Sequence, residues 1–368
     1  MDSRERTFLS LDHEEPDRIP IDFWASDGTR RKIKSGLGLA FEEFLDRHDV
    51  DLRYIEGPRY VGPRLAGPPG ADDIDIWGVP RVLVTARVSD GTGEFEEPYK
   101  EVLESPLAGC RSVEEVLDYP RWPSADWFDY SGIAAQCARV RDAGRVAVFM
   151  GDRLNRLAQL KPAMYLRGTE QIFVDLIENE EIARAIFARI TAFYEEYAER
   201  ILDSARGGID ILFSGDDFGA QNAPLLSPAM WREFLQAGFA GYARLGSAHG
   251  ARVMHHTCGS VFELIPDMIE SGLQVLQALQ PEAARMDPRG LKSAFGDRLS
   301  FQGGVSIQSV LPRGTAAQVR EHARALIEAM APGGGFIACS SHNIQADTSL
   351  ENIAALMAAY REFGSYAG

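Results

Sequence analysis

The 368-residue sequence predicts an α/β fold, a (β/α)₈ TIM barrel, on two observations. Eight short apolar runs recur along the chain, most of them bounded by Gly or Pro and separated by helical patterns. One segment departs from this alternation, because two β-rich runs flank the turn Asp90-Gly91-Thr92-Gly93. Strands that alternate with helices are typical of a parallel sheet, and eight of them are typical of a barrel. We therefore predict a single barrel domain over residues 1–368, with a β-hairpin insertion near the N-terminal third that covers one mouth.

Each predicted element has a local signal. The first strand follows a turn at residues 14–18, and later strands end where apolar residues give way to polar ones. The predicted strands span residues 19–24, 53–55, 146–150, 209–213, 253–256, 275–279, 299–302 and 336–339, and helical patterns include 178–199, 228–245 and 315–330. An open, doubly wound sheet is the alternative. It would need a Gly-x-Gly-x-x-Gly phosphate loop, and Met150-Gly151-Asp152-Arg153 lacks that spacing.

Composition and charge exclude several functional classes. The formal net charge of −16 disfavours nucleic acids and anionic membrane surfaces as partners. No apolar run reaches the roughly 20 residues of a membrane helix, and residues 1–6 lack the layout of a signal peptide, so we expect a cytoplasmic protein. The four cysteines, without close pairing, do not suggest a disulfide framework. They are Cys110, Cys137, Cys258 and Cys339.

Polar side chains cluster where the predicted strands end. In a barrel, the carboxyl ends of the strands surround the active-site mouth, so these positions predict a chemically equipped site. The candidates are Asp22 and Trp24 after the first strand, Asp152 after the third, Asp216, Asp217 and Gln221 after the fourth, His256 and Cys258 after the fifth, Gln277 on the sixth, Gln302 on the seventh, and Cys339 and His342 after the eighth.

The His256-Thr257-Cys258 sequence predicts a metal site. Alternation along a strand points His256 and Cys258 the same way, and zinc accepts imidazole nitrogen and thiolate sulfur together. Alone, either would more often be a satisfied core histidine or a buried thiol. Parity places Cys339 and His342 on opposite faces unless the strand has already turned, so either could be the third ligand. His255 should pack outward or support a neighbour through a hydrogen bond.

Asp216 and Asp217 form the second candidate cluster. These acids lie in a Gly-flanked loop, where they could bind a cation, act as acid and base, or join a metal. The structural alternative is that they form turns ahead of a helix that starts near Ser227-Pro228. Asp22 and Asp152 allow the same two interpretations.

Several motifs resemble the uroporphyrinogen decarboxylase superfamily over about residues 4–363. They are Ser3-Arg4-Glu5-Arg6, Glu15-Pro16-Asp17-Arg18-Ile19-Pro20, Ser214-Gly215-Asp216-Asp217-Phe218-Gly219, Leu226-Ser227-Pro228-Ala229-Met230-Trp231, Phe301-Gln302-Gly303-Gly304-Val305, and Ser341-His342-Asn343-Ile344-Gln345 followed by Glu351-Asn352-Ile353. The decarboxylases carry an arginine-containing loop after the first strand that binds propionates. Residues 22–28 here have no arginine, so uroporphyrinogen is not the expected substrate.

The resemblance is closer to the zinc- and corrinoid-dependent methyltransferases of that superfamily. Their His-x-Cys matches His256 and Cys258. Counting back from Thr348, their second ligand cysteine falls on His342, with Cys339 as the near alternative. Ser306 stands where an acidic residue is expected.

The resemblance implies methyl transfer between a corrinoid protein and a small substrate of the methyl ether, methylamine or thiol type, with Zn²⁺ at the barrel mouth. Asp217, Asp216 and His342 would be catalytic. Substrate contacts would come from Asp22, Trp24, Asp152, Gln221, Gln277 and Gln302. The corrinoid would be carried by a separate protein, because the chain has no Asp-x-His-x-x-Gly motif of its own.

Two other classes remain as alternatives. One is a decarboxylase or lyase acting on a small carboxylic acid, which needs a cation at the mouth. The cations available are Arg59, Arg153, Arg156 and Lys161. The other is a metal-binding or scaffold protein without turnover, which is less expected because barrels with polar mouths usually catalyse reactions.

Overall fold

The structure is a computed structural model that describes residues 1–151 and 156–366. Its strands are β1 (Leu52–Tyr54), β2 (Arg59–Tyr60), β3 (Asp73–Ile74), β4 (Pro80–Ser89), β5 (Glu94–Val102), β6 (Phe128–Asp129), β7 (Val146–Phe149), β8 (Ile211–Gly215), β9 (Arg252–His256), β10 (Val275–Ala278), β11 (Ser300–Val305) and β12 (Phe336–Ser340). Seven of these form one parallel, curled sheet in the order β1-β7-β8-β9-β10-β11-β12. They match the second to eighth predicted strands, which confirms the α/β barrel.

The first predicted strand occupies the eighth position, between β12 and β1. Ile21 forms a parallel bridge with Ala338, and the Ile21 carbonyl accepts a hydrogen bond from the Asp51 amide at 2.8 Å. The segment therefore closes the barrel by isolated bridges and not by a continuous ladder. Pro20 has no N–H to donate, which limits the pairing of this segment.

The helices pack around the sheet. They are α1 (Ser3–Leu11), α2 (Asp27–Leu37), α3 (Phe41–Arg47), α4 (Val113–Leu117), α5 (Ile133–Asp142), α6 (Leu160–Arg167), α7 (Thr169–Glu178), α8 (Glu180–Ala205), α9 (Pro228–Phe234), α10 (Gln236–Ala248), α11 (Ile265–Glu270), α12 (Pro288–Phe295), α13 (Val310–Arg313), α14 (Ala316–Met330) and α15 (Leu350–Phe363), with a 3₁₀ turn at Ala125–Trp127. Within the described ranges, none of these helices has both the length and the apolar composition that a membrane crossing requires.

Two of the predicted helical patterns need correction, one because it is interrupted and the other because its bounds differ. The pattern predicted over residues 228–245 is broken at Leu235 into α9 and α10. Ser227 caps α9 by accepting a hydrogen bond from the Met230 amide, as its position before Pro228 predicts. The pattern over 178–199 corresponds to α8, which extends to Ala205.

Alternation along β9 decides which of its side chains reach the site. Met254 packs inside the barrel with Phe213 and Val275, so His256, two residues later, also points inward. His255 points outward, where its ring stacks on Phe218 with centroids 5.3 Å apart.

The predicted hairpin is present as β4 and β5, which pair antiparallel from Arg81–Val102 to Ser89–Glu94. β3 adds a short third strand beside β4. The inner side of the hairpin faces the mouth of the barrel, because Ala86, Val88 and Tyr99 line the cavity found there.

Candidate metal centre at the barrel mouth

A cavity of about 590 Å³ lies at the carboxyl ends of the strands. Aromatic and polar side chains share its wall, among them Trp24, Trp77, Tyr165, Lys161, His256 and His342. A pocket of this size, with an apolar wall and a few convergent polar groups, is typical of a small-molecule site.

Three potential metal ligands converge on this cavity. One ligand atom each from His256, Cys258 and His342 lie within 4.8 Å of one another. His256 Nε2 is 3.4 Å from Cys258 Sγ, and the two imidazole rings have centroids 5.4 Å apart. Within the described residues this group does not include Cys339, so the structure favours His342 as the third ligand.

The chain around Cys258 is held close to the neighbouring loop by a glycine. Gly259 has φ +80°, and a Cβ there would lie 2.5 Å from the Gly219 backbone. Glycine permits both the left-handed conformation and this close approach. This close approach positions the chain directly after Cys258, whose sulfur lies 3.4 Å from His256 Nε2.

The His256 ring is oriented from behind by Gln277. The Gln277 Oε1 atom accepts a hydrogen bond from His256 Nδ1, so Nε2 carries the lone pair that faces Cys258. Burial and then the positive charges of Arg156 and His342 lower the pKa of His256 well below its ordinary value. The ring is thus held in the neutral form and the tautomer that a metal requires.

The Cys258 thiol is protonated in the metal-free site. Burial, and next the charge of Asp217, raise its pKa to about 12. A bound cation reverses this preference, because a coordinated thiol is deprotonated outright. Two imidazoles and one thiolate form a donor set that suits zinc and leaves one tetrahedral position for a reactant.

Asp217 lies beside the three ligands and is paired with Lys161. Its Oδ1 is 3.6 Å from His256 Nε2, and its Oδ2 accepts a hydrogen bond from Lys161 Nζ. Burial raises the pKa of Asp217, but the positive charges of Lys161, which also donates a hydrogen bond to it, and of Arg156 outweigh burial and bring it well below the usual range. An ionised carboxylate therefore lies next to the ligand group.

Asp216 has a different environment. Its two oxygens accept hydrogen bonds from the amides of Gln159, Leu160 and Lys161, each at 2.7 Å. These amides lie at the start of α6, so Asp216 caps that helix. Burial raises its pKa to about 6. These contacts favour a structural role for Asp216. Its catalytic role stays a prediction.

Cys339 lies apart from the ligand group, in the barrel interior. Its sulfur is 3.9 Å from Asp22 Oδ2, and burial raises the pKa of the thiol well above its ordinary value. Tyr54 donates a hydrogen bond to Asp22 at 2.7 Å, and Gln302 donates another. Asp22 borders a separate cavity of about 280 Å³ next to the main one.

Trp24 lies between the two cavities and against the ligands. Its ring centroid is 5.2 Å from that of His342 and 5.6 Å from that of His256. The prediction that Trp24 contributes to the site is consistent with this position, since it lines the cavity. It also shields one side of the two imidazoles.

None of the three predicted glutamines is among the residues that line the main cavity. Gln277 supports His256 and Gln302 supports Asp22. Gln221 is exposed and donates to the Glu282 carbonyl at 2.9 Å. Their role in substrate binding stays a prediction, and Asp152 falls outside the described residues.

The structure brings in residues that sequence patterns did not single out as site residues. Trp77 and Tyr165 line the cavity. Trp77 lies between β3 and β4, and Tyr165 is on α6, so neither is found by looking for polar residues at the ends of barrel strands. Lys161 and Arg156, considered only as possible cations, also line it. Arg59 does not, because it pairs with Asp129 on the surface with 77% of its side chain exposed. Arg153 falls outside the described residues.

An acidic side chain does lie at Ser306, although it comes from another loop. The Ser306 hydroxyl donates a hydrogen bond to Glu282 Oε1. The Ser309 hydroxyl lies 3.3 Å from the same carboxylate oxygen. Glu282 therefore supplies a carboxylate near the position where the sequence carries a serine.

The family model described as uroporphyrinogen decarboxylase (URO-D) matches residues 158–363, more than half of the chain. No curated protein sequence matches this chain. Among solved structures, a methyltransferase from Methanosarcina mazei is similar with a TM-score of 0.67 and 18% identity, covering 99% of each chain. The 3-keto-D-glucoside 4-epimerase from E. coli has a TM-score of 0.36 and 9% identity, covering 63% of this chain and 84% of its own. The first similarity supports the fold, and the second carries no argument.

Proposed function

The chain belongs to the uroporphyrinogen decarboxylase family, and we propose that it is a methyltransferase that moves a methyl group between a small substrate and a separate corrinoid protein. The observation that carries the proposal is the convergence of His256, Cys258 and His342 within 4.8 Å at the barrel mouth. A decarboxylase that acts without a metal has no need of such a donor set.

His256, Cys258 and His342 would hold zinc. When bound, zinc would supply Lewis-acid activation of the heteroatom that gives or receives the methyl group. A methyl ether, a methylamine or a thiol presents such a heteroatom. The methyltransferase from Methanosarcina mazei has a similar fold, which is compatible with this chemistry.

The remaining side chains position the reactants and the proton. Gln277 fixes the orientation of His256. The Asp217 carboxylate, next to His256 and paired with Lys161, can accept the proton that a thiol loses or orient a substrate heteroatom. Trp24 covers the imidazoles and limits access of water from one side.

Two observations support the proposal that a corrinoid protein is the partner. The resemblance of the sequence to corrinoid-dependent methyltransferases implies it, and the chain has no corrinoid-anchoring motif of its own. A methyl group that arrives on a second protein requires a cavity at the surface of this one. The cavity at the strand ends meets that requirement.

The first test is elemental analysis of the purified protein with three variants. We expect about one zinc per chain in the native protein and strong loss in Cys258→Ala and His342→Ala. Cys137→Ala is the matched control, because Cys137 is a buried cysteine on α5 outside the group. Absence of zinc from native protein that has been supplied with it would overturn the metal site.

The second test measures methyl transfer directly. Zinc-loaded protein would be mixed anaerobically with methylcobalamin and small thiols, and the loss of the methylcobalamin spectrum followed. The carbon–cobalt bond breaks, the methyl group forms a thioether with the thiolate, and the electron pair remains on cobalt as cob(I)alamin. If the protein binds zinc but demethylates neither methylcobalamin with any of the thiols nor a supplied methylated corrinoid protein, the result would contradict methyl transfer.

A decarboxylase or lyase acting on a small carboxylic acid is the second candidate. Arg156 and Lys161 line the cavity, and cations of this kind bind carboxylates. Lys161 already pairs with Asp217, which makes it a weaker anion site. Release of carbon dioxide from small carboxylic acids, unaffected by Cys258→Ala, would favour this candidate.

A further inference from the structure

We propose that the inner face of the β4–β5 hairpin selects the substrate by size, and that Ala86 and Val88 are specificity-determining residues. The hairpin forms one wall of the cavity beside the ligand group. This inference rests on the proposed function, because it names the kind of substrate that the same site accepts.

The two faces of β4 differ in their surroundings. Thr85 and Arg87 are exposed to solvent, whereas Ala86 and Val88 are half-buried and line the cavity. This alternation is that of a strand with one face covered. The β4 side chains that face the substrate space are therefore small, and the large side chain of Arg87 is on the other face.

The tip of the hairpin is anchored by a buried lysine. Lys32 Nζ donates a hydrogen bond to Asp90 at 2.7 Å and lies 3.7 Å from the centroid of the Phe95 ring. The same ammonium group bonds the Thr348 carbonyl at 3.0 Å. Lys32 thus joins α2, the hairpin tip and the loop that follows His342.

The middle of the hairpin is anchored by Glu97, the cross-strand partner of Ala86. Its carboxylate accepts hydrogen bonds from the Ser26 hydroxyl at 2.6 Å and the Ala346 amide at 2.7 Å. A Cβ at Gly28 would lie 2.3 Å from the same carboxylate, so a larger residue there would displace the Glu97 anchor. With two anchors, the wall has a defined position, and the side chains on it set the space available.

The cavity is larger than a substrate with a single carbon atom needs. The cavity measures about 590 Å³, whereas a cavity of about 150 Å³ accommodates benzene. Aromatic walls from Trp24, Trp77 and Tyr165 surround this space. The geometry points to a methyl donor or acceptor whose reactive heteroatom is attached to a body of one or more rings.

Thiol binding to the cobalt-substituted protein tests the inference without turnover. Co²⁺ replaces zinc, the thiol loses its proton to the buffer, and the increase in sulfur–cobalt charge-transfer absorption above that of the Cys258 ligand alone reports occupancy. The probes are 2-mercaptoethanol, thiophenol and naphthalene-2-thiol. The variants are Ala86→Phe and Val88→Phe, with Ala86→Leu as a milder change and Arg87→Phe as the matched control on the outer face.

In the native protein we expect naphthalene-2-thiol to bind at least as tightly as 2-mercaptoethanol. In Ala86→Phe and Val88→Phe, binding of naphthalene-2-thiol should weaken by about tenfold or more, because the added ring overfills the space. Binding of 2-mercaptoethanol to these variants, and of both thiols to Arg87→Phe, should change by less than about twofold.

Each contrary result has a separate meaning. Equal weakening of both thiols by the inner-face variants, or no weakening by any of them including Ala86→Leu, would overturn the role of the hairpin. Tighter binding of 2-mercaptoethanol than of naphthalene-2-thiol in the native protein would overturn the ring-sized substrate. Failure of Co²⁺ to bind would overturn the metal site itself.

Discussion

Gln277 and His256 are register partners on the adjacent strands β10 and β9, and the Gln277 amide oxygen accepts the hydrogen bond from His256 Nδ1. The sheet pairing itself therefore places the group that orients the candidate ligand. The orientation does not depend on a mobile loop, and it is established before any metal arrives.

Replacing Gln277 should weaken metal binding without removing a ligand. We expect Gln277→Ala to lower zinc affinity by about 10–100-fold, since the loss of an outer hydrogen bond releases the ring and its tautomer. Competition with a chromophoric chelator measures this affinity. Gln221→Ala is the control, because that side chain is exposed and contacts the Glu282 carbonyl instead. Unchanged affinity in Gln277→Ala would contradict the positioning role.

The choice between His342 and Cys339 gives a second prediction. Cys339→Ala should retain a full complement of zinc, because its sulfur lies near Asp22 and outside the ligand group. His342→Ala should lose most of it. Zinc content by mass spectrometry distinguishes the two, and the reverse pattern would assign the third ligand to Cys339.

Asp216 and Asp217 should differ in what they contribute. Asp216→Ala leaves the amides at the start of α6 without their acceptor, so we expect a loss of about 2–5 kcal/mol in the free energy of unfolding. Asp217→Asn retains a side chain that can still accept a bond from Lys161, and should destabilise less while reducing methyl transfer. Urea denaturation and the methylcobalamin assay provide the two measurements. Similar stability of both variants would contradict the capping role of Asp216.

The Asp22 carboxyl predicts a pH-dependent contribution to stability. Burial raises its pKa to about 6, although hydrogen bonds from Tyr54 and the Phe23 amide oppose the shift. In the unfolded chain the same carboxyl has a pKa of about 3.9. The folded state therefore binds this proton more tightly than the unfolded state does. The contribution to stability is complete below about pH 4 and is lost as the pH rises through about 6.

The measurement compares native protein with Asp22→Asn at several pH values. Between about pH 4 and pH 7 the native protein should lose about 2 kcal/mol relative to the variant, because most of the two-unit difference in pKa, at about 1.4 kcal/mol per unit, takes effect within this range. Other titrating groups are common to both proteins and cancel. A difference that stays constant across this range would show that the carboxyl titrates normally.

Much of the fold could be predicted because barrel strands are short apolar runs. His256 and Cys258 could be paired by strand parity alone, and the structure places them together. The choice of His342 over Cys339 could not be made in this way, because β12 ends at Ser340 and the direction of a side chain after that depends on the turn.

Other features depend on packing that leaves no local pattern. Gln277 supports His256 from the neighbouring strand, and cross-strand register of this kind is not visible in one sequence. The break between α9 and α10 at Leu235 lies between Trp231 and Phe239, whose rings are 5.5 Å apart. Lys161 contacts both acids, since its amide donates a hydrogen bond to Asp216 and its ammonium group donates one to Asp217.

The seam that closes the barrel has a consequence for biosynthesis. Asp22 and Cys339, which touch across this seam, are 317 residues apart in the chain. At typical ribosomal rates roughly 15–60 s pass between the synthesis of one and of the other. Over that interval the N-terminal segment must remain unaggregated, although β12, its neighbour on one side, has not yet been synthesised. The barrel mouth, to which Trp24 contributes, is thus among the last parts of a nascent molecule to be completed.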